Sequence, residues 1–293
     1  MEQLEVGALT SSLLGLFPSL HQPLLSLLQK LSRGAPKGVA FIEAYSEHLI
    51  EARREEKVSD EGPSDFIAKF LKIQNENPAK ITDKDIRVSA VANVGAGSDT
   101  TSITLSAILY CLCKNPSTMK KLRQELDDAT NSGFISDPIT FQQAQSLPYL
   151  QAVIKEGLRI HPATGFTMPR IVPKGGKEIT GHYFPAGTVV GINSWVAHRN
   201  KEVFGSDAYL FRPERWLEKE SSKYLDAYFF SFGQGSRTCI RKNISLLEIS
   251  KAIPQVVRYI DFHLENEAEW HCMNHWFVKP KNFTCCATKR SVK

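Results

Sequence analysis

The chain has 293 residues, of which 42% are hydrophobic and 23% charged, the composition of an ordinary globular protein rather than a disordered one. Its net charge of +5 comes from acids and bases interspersed along the sequence, so no basic block favours nucleic-acid binding. Its six cysteines lack the spacing of a small disulfide-bonded scaffold, which predicts a reducing compartment.

The N-terminal region is rich in leucine but interrupted by prolines. Residues 9–31 contain Pro18 and Pro23, so they predict two short apolar helices rather than one membrane-spanning helix. Glu2 and Glu5 stand where a cleavable signal peptide carries basic residues, so no such peptide is predicted.

Helical patterns dominate the next part of the chain. Residues 38–57 and 65–74 predict amphipathic helices, and Thr82 with Asp85 forms a capping-box-like start to a pattern that ends near residue 113. At 1.5 Å per residue this helix is about 45 Å long, which suits the centre of a large domain. Three more helices are predicted, over 117–129 with Ser117 as N-cap, 141–145 and 148–160.

From residue 168 the spacing of the hydrophobic residues changes from that of a helix to that of short strands. Short strands are predicted around Ile171, Ile179, Tyr183, 188–190 and Ile192. They are followed by a helix at 193–198, a proline-containing meander at 201–216, a final helix at 243–259 with a kink at Pro254, and one or two hairpins within 262–286. The fold class is therefore mainly α with a small β region.

The long predicted helix carries two costly glycines and two polar groups. Gly95 and Gly97 each destabilise a helix interior by about 1 kcal/mol relative to Ala, which favours a place where the backbone opens or another group lies close. Asp99 and Thr100 put a carboxylate and a hydroxyl there, suitable for relaying protons. A kinked core helix with a polar seam is the structural alternative.

A glycine-rich loop, residues 232–239, ends in a cysteine and leads into the final helix; we call it the Cys loop. The positive end of the helix dipole and free N–H groups at a helix N-terminus stabilise a negatively charged sulfur at Cys239. Arg237 adds a fixed positive charge two residues earlier. These features describe a thiolate facing a flat anionic group, whereas an isolated cysteine would more simply be buried after a turn.

The Cys-loop pattern Phe-x-x-Gly-x-Arg-x-Cys closely resembles the heme-binding loop of the cytochrome P-450 family, the heme-thiolate monooxygenases. The resemblance implies that Cys239 is the axial iron ligand, that Arg237 pairs with a heme propionate, and that Phe232 and Gly233 lie against the cofactor. The family usually has Gly two residues after the cysteine, where this chain has Arg241.

The long helix also carries a family motif. Its stretch 96–100 resembles the oxygen-activating motif, which implies that Asp99 and Thr100 deliver protons to bound oxygen. By the same analogy the substrate pocket is lined by apolar residues, namely Ala92, Ala96 and Phe166.

Two further segments resemble the family. Residues 156–159 resemble its Glu-x-x-Arg helix and 211–216 its Pro-Glu-Arg-aromatic segment, which implies a buried structural cluster of Glu156, Arg159 and Arg215. Arg170 resembles a second propionate-binding arginine, although a solvated arginine at a strand edge remains an alternative. We expect His198 to be a hydrogen-bonded core residue rather than a ligand.

The resemblance implies the C-terminal three-fifths of a cytochrome P-450 fold, as one truncated heme-thiolate domain. Within it, 1–80 would form helices over the substrate entrance and 81–162 the central helices. Residues 163–216 would form the short strands and meander, and 217–293 the heme loop, last helix and C-terminal hairpin. Eukaryotic members are longer and carry an N-terminal membrane anchor.

The implied cofactor is heme b, and the implied reaction uses O₂ to hydroxylate or dealkylate a small apolar organic substrate. A NADPH-dependent reductase would supply electrons at the cytosolic face of the endoplasmic reticulum membrane, and the resemblance to fungal members suggests secondary metabolism. A non-catalytic truncated fragment with weak or no heme binding is the main alternative. A zinc module is a third, built from His271, Cys272, His275, Cys285 and Cys286, which lack a Cys-x-x-Cys pair.

Overall fold

A computed structural model describes residues 17, 20, 23, 24, 26, 27, 37–55, 65–265 and 270–291. Most of the helical pair predicted over 9–31 lies outside these described residues. The chain divides into two compact units, 1–99 and 100–293, and each is described by itself. Within the described part, no helix is long and apolar enough to cross a membrane.

Helices make up most of the described chain, as the sequence predicts. The α-helices are α1 Lys37–Glu55, α2 Phe66–Glu76, α3 Asp83–Lys114, α4 Pro116–Asn131, α5 Phe141–Gln145, α6 Pro148–Ile160, α7 Ser194–Ala197, α8 Lys201–Phe204, α9 Lys219–Ala227 and α10 Lys242–Tyr259. Two 3₁₀ turns cover Pro213–Trp216 and Gly235–Arg237.

The strands form antiparallel pairs. β1 Arg170–Ile171 pairs with β4 Val189–Val190, and β2 Lys177–Ile179 with β3 His182–Phe184. In the tail, β6 His271–His275 and β7 Phe277–Lys281 form a hairpin between the paired strands β5 Ile260–Leu264 and β8 Cys285–Lys289. The predicted tail hairpins are confirmed.

The long helix begins as its sequence predicts. The Asp85 carboxylate accepts the N–H of Thr82 at 2.9 Å, and the Thr82 hydroxyl accepts the N–H of Asp85 at 3.2 Å, which completes a capping box. The chain stays helical through Gly95 and Gly97, so the predicted opening of the backbone is not seen. A Cβ at Gly95 would meet nothing within 4 Å.

Two sequence predictions of local structure are wrong. Ser117 is not the N-cap of α4, because Asn115 holds that position and Pro116 begins the helix, where its missing N–H costs nothing. Ile192 lies outside the strands, and α9 forms between the meander and the Cys loop, where no helix was predicted.

The second unit has a core built from α3, α4, α6 and α10. Its fully buried side chains include Ile108, Leu112, Leu122, Leu126, Leu150, Val153, Ile253 and Val257. Gly157 lets α6 lie against α3, since a Cβ there would come within 2.4 Å of Cγ1 of Ile108. The first unit has a smaller core of its own, formed by Ile50, Leu71 and Ile86.

Candidate functional site

The structure brings Glu156, Arg159 and Arg215 together in a buried cluster. Glu156 and Arg159 are 0% exposed and Arg215 is 2% exposed. Oε1 of Glu156 accepts hydrogen bonds from Arg159 at 2.8 Å, from Arg215 at 3.1 Å and from the N–H of Arg212 at 2.9 Å. Its Oε2 accepts from Nε of Arg159 at 2.8 Å and from the indole N–H of Trp216 at 2.9 Å. The single buried carboxylate of Glu156 therefore accepts five hydrogen bonds.

The two arginines also tie His198 and the meander that follows it, residues 201–216, to α6. Arg159 donates to the carbonyl oxygens of His198 and Ala208, each at 2.7 Å. Arg215 donates to the carbonyl of Phe204 at 2.7 Å and to that of Asp207 at 3.1 Å. Because each contact uses a different segment of an irregular chain, the cluster fixes the meander where regular secondary structure does not.

His198 is a core residue with both ring nitrogens bonded. The ring is 0% exposed, its Nδ1 lies 3.0 Å from the carbonyl oxygen of Arg159, and its Nε2 accepts the N–H of Phe230 at 2.8 Å. Burial lowers the pKa of His198 to about 4, so the ring is neutral at pH 7. The expectation of a hydrogen-bonded core histidine is confirmed.

The backbone of the Cys loop is held in a tight turn. The N–H of Cys239 donates to the carbonyl of Phe232 at 2.8 Å. Gly233 and Gly235 have φ of 67° and 71°, a left-handed conformation that strains any residue with a Cβ. The side chain of Phe232 packs on the main core, while that of Cys239 is exposed. Cys239 is therefore exposed on a loop whose backbone is hydrogen-bonded back to Phe232.

Two predicted propionate partners are placed on exposed backbone segments. Arg237 is exposed within the Cys loop. Arg170 is exposed at the start of β1, where it donates to the carbonyl oxygens of Met168 at 3.2 Å and Pro169 at 2.9 Å. Arg241 is half-buried at the N-cap position of α10. Arg237 and Arg170, the two predicted propionate partners, are thus both accessible to an anionic ligand.

The predicted proton-relay residues lie in the middle of α3. Asp99 and Thr100 are half-buried and consecutive, whereas Ala92 and Ala96 are exposed on the preceding turns. The predicted pocket residue Phe166 is half-buried and stacks on Trp276 with ring centroids 5.7 Å apart. Sequence reasoning missed Thr101, whose hydroxyl donates to Glu248 of α10 at 3.1 Å.

A second missed residue stabilises the helix that carries the charged cluster. The Glu125 carboxylate of α4 accepts the N–H groups of Tyr149 and Leu150, both at 2.8 Å, in the first turn of α6. Burial raises the pKa of Glu125, while these two hydrogen bonds oppose that rise. The N-cap residue before Pro148 makes no side-chain hydrogen bond to the first turn of α6. An N-cap residue of this kind is the sequence signal that a residue from another element must accept the N–H groups of that turn.

The histidines and cysteines of the zinc alternative lie on separate strand pairs. His271 and His275 are on β6, whereas Cys285 and Cys286 are on β8, which pairs with β5. Among the described residues, no three His, Cys, Asp or Glu side chains converge as a metal site.

The chain is similar to known proteins over most of its length. The family model for cytochrome P-450 matches residues 6–287. A pisatin demethylase of Fusarium vanettenii is 44% identical over 278 residues, which are 92% of this chain and 53% of the relative. A cytochrome P-450 monooxygenase of Alternaria alternata is 41% identical over 258 residues, 88% of this chain and 68% of that relative. One of Emericella nidulans is 42% identical over 265 residues, 90% of this chain and 52% of the relative. The chain thus spans about half the length of two of these relatives.

Proposed function

The chain belongs to the cytochrome P-450 family, and on that premise we propose that it is a heme-dependent monooxygenase. The observation that carries the proposal is the exposed thiol of Cys239, presented by a loop whose backbone is anchored by the 2.8 Å hydrogen bond to Phe232. The chain spans about half the length of several relatives, so the activity, substrate and partners of the whole protein are all part of this proposal.

The residues of the Cys loop fit a flat, anionic, iron-containing group. The thiol of Cys239 is accessible, and a thiolate is a suitable axial ligand for heme iron. A Cβ at Gly235 would meet nothing within 4 Å, so the outer face of the loop is open. The exposed guanidinium groups of Arg237 and Arg170 match carboxylate groups in charge and geometry. We assign Cys239 to the iron and the two arginines to the propionates of heme b.

When bound, the heme would supply reductive activation of O₂ and transfer of one oxygen atom to an organic substrate. The residues of α3 would supply protons for this chemistry: the Asp99 carboxylate would exchange protons with water, and Oγ1 of Thr100 would hold and donate one. We also assign Ala92, Ala96 and Phe166 to contact with the substrate, because their side chains are apolar.

We assign the substrate to the class of small apolar organic molecules of secondary metabolism, which would be hydroxylated or dealkylated. Two relatives that are 42% and 44% identical are named pisatin demethylase, and this favours removal of a methyl group. Electrons would come from a NADPH-dependent reductase at the cytosolic face of the endoplasmic reticulum membrane.

A non-catalytic fragment with weak or no heme binding is the second candidate. It is favoured by Arg241, which stands where the resemblance places glycine. A side chain at this position would have to turn away from the cofactor, which costs side-chain entropy.

Expression with a heme precursor separates the two candidates. The monooxygenase predicts one heme per chain, and reductase-dependent release of formaldehyde from an O-methylated aromatic compound. In this assay Thr100→Ala should lower the product formed per O₂ consumed, and Ser98→Ala, exposed on the same helix, is the matched control. A chain that purifies without heme supports the fragment.

A further inference from the structure

The N–H of Phe230, two residues before the Cys loop, has an unusual partner. It donates at 2.8 Å to Nε2 of His198, which is 0% exposed and distant in sequence. The ring is nearly parallel to two aromatic neighbours, with its centroid 5.6 Å from that of Phe229 and 6.4 Å from that of Phe230. The entry into the Cys loop is therefore held by a buried side chain rather than by secondary structure.

The two hydrogen bonds of the ring determine its protonation. The carbonyl of Arg159 can only accept, so Nδ1 must carry a proton, and the N–H of Phe230 can only donate, so Nε2 must be bare. Burial lowers the pKa of His198 first, and the nearby cations Arg159 and Arg199 lower it further, which keeps this single tautomer at pH 7. His198 thus links α6 to Phe230, two residues before the Cys loop.

The contact continues through the backbone towards the thiol. The carbonyl of Phe230 accepts the N–H of Gly233 at 2.9 Å and the hydroxyl of Ser194, which is 2% exposed, at 3.2 Å. The carbonyl of Phe232 then accepts the N–H of Cys239 at 2.8 Å. Phe230 is consequently fixed at both its N–H and its carbonyl, and the turn that carries Cys239 begins from it.

We propose that His198 is a positioning residue for the Cys239 thiolate, acting through its Nε2 hydrogen bond to the backbone of Phe230. This inference rests on the proposed function, since the thiolate matters only if it binds iron. His198 touches neither Cys239 nor the cofactor in this assignment. Its role is to stop the first turn of the Cys loop from opening.

Two amide variants separate positioning from simple filling of the core. In His198→Gln the side-chain oxygen lies as many bonds from Cβ as Nε2 does and can accept the N–H of Phe230, whereas the amide of His198→Asn reaches only the Nδ1 position. Both variants bury an amide at the same place. Asn is one methylene smaller than Gln, so if His198 merely filled space the Asn variant would loosen the whole surrounding core, not Phe230 and the Cys loop in particular.

The first readout is amide hydrogen exchange in the chain without heme, so it is independent of monooxygenase activity. His198→Asn should speed exchange at Phe230 and in residues 232–239 by roughly five- to tenfold, the effect of losing one hydrogen bond. His198→Gln should stay within about twofold of wild type. The second readout is the red-shifted Soret band of the reduced CO complex, which should weaken in the Asn variant and persist in the Gln variant.

Equal exchange in the Asn and Gln variants would overturn the proposal. Loss of the fold in both would do the same, because His198 would then support the core rather than the loop. If exchange differs as predicted while no heme binds to any form, the positioning of the Cys loop stands and the proposed monooxygenase function fails.

Discussion

Glu156→Gln is the sharpest test of what holds the irregular part of the fold together. The substitution keeps the size of the side chain but removes a charge that is 0% exposed and faces Arg159 and Arg215, which are 0% and 2% exposed. The carboxylate accepts five hydrogen bonds, and an amide must turn its N–H₂ group towards donors at one of the two oxygen positions.

The expected cost is large because the two arginines lose their buried counter-charge. Breaking a buried ion pair by removing one partner costs about 3–5 kcal/mol. A typical domain is stable by only about 5–15 kcal/mol, so the variant should lose a large share of its stability. With about 2–4 °C per kcal/mol for large domains, the melting temperature should fall by roughly 10 °C.

Urea unfolding followed by circular dichroism measures this change without heme. Glu214→Gln is the matched control, since Glu214 lies on the same 3₁₀ turn as Arg215 but is 34% exposed and pairs with Lys121 at 2.7 Å. The free energy of unfolding of this control should fall by less than about 1 kcal/mol. If the free energy of unfolding of Glu156→Gln lies within about 1 kcal/mol of the wild-type value, the structural role of the cluster is refuted.

Three further tests address other buried groups. Burial lowers the pKa of both His161 and His198 to about 4, below the unfolded value of about 6.5. The free energy of unfolding should therefore be highest above pH 6.5 and fall by up to about 3 kcal/mol per histidine as the pH drops towards 4. Urea midpoints that rise on acidification from pH 7 to 5 would contradict this. Gly157→Ala should cost about 1–3 kcal/mol, because its Cβ would meet Ile108 at 2.4 Å. Ile108→Ala should cost less in that background than in wild type, and additive losses in this double-mutant cycle would exclude the contact. Glu125→Ala should destabilise by about 2 kcal/mol and speed hydrogen exchange at two amides in the first turn of α6; unchanged exchange there would show that the carboxylate does not cap the helix.

Local signals explain which elements the sequence could predict. The helix at 141–145 matches its prediction to the residue, since Thr140 and Gln143 form a capping box. The helix at 148–160 also matches, because Pro148 starts it and Pro162 follows its end. The prediction took Ser117 as the N-cap, but the helix begins at Pro116, because proline favours the first position of a helix.

Long-range partners explain what the sequence could not predict. The Thr101–Glu248 hydrogen bond joins residues 147 positions apart, and the capping of α6 by Glu125 depends on how two helices pack. The environment of His198 likewise depends on two hydrogen bonds with Arg159, which lies 39 positions earlier in the chain. Cys239 could be singled out from its loop pattern, but its exposed thiol required the three-dimensional structure.

The central claim is that the sulfur of Cys239 binds the iron of heme. The most direct measurement is the absorption spectrum of the reduced CO complex, compared between wild type, Cys239→Ser and Cys272→Ser, a control at another exposed cysteine. We predict the red-shifted Soret band of a thiolate-ligated heme in wild type and Cys272→Ser, and its loss in Cys239→Ser. The same red-shifted band in Cys239→Ser, or its absence from heme-loaded wild type, would contradict the account.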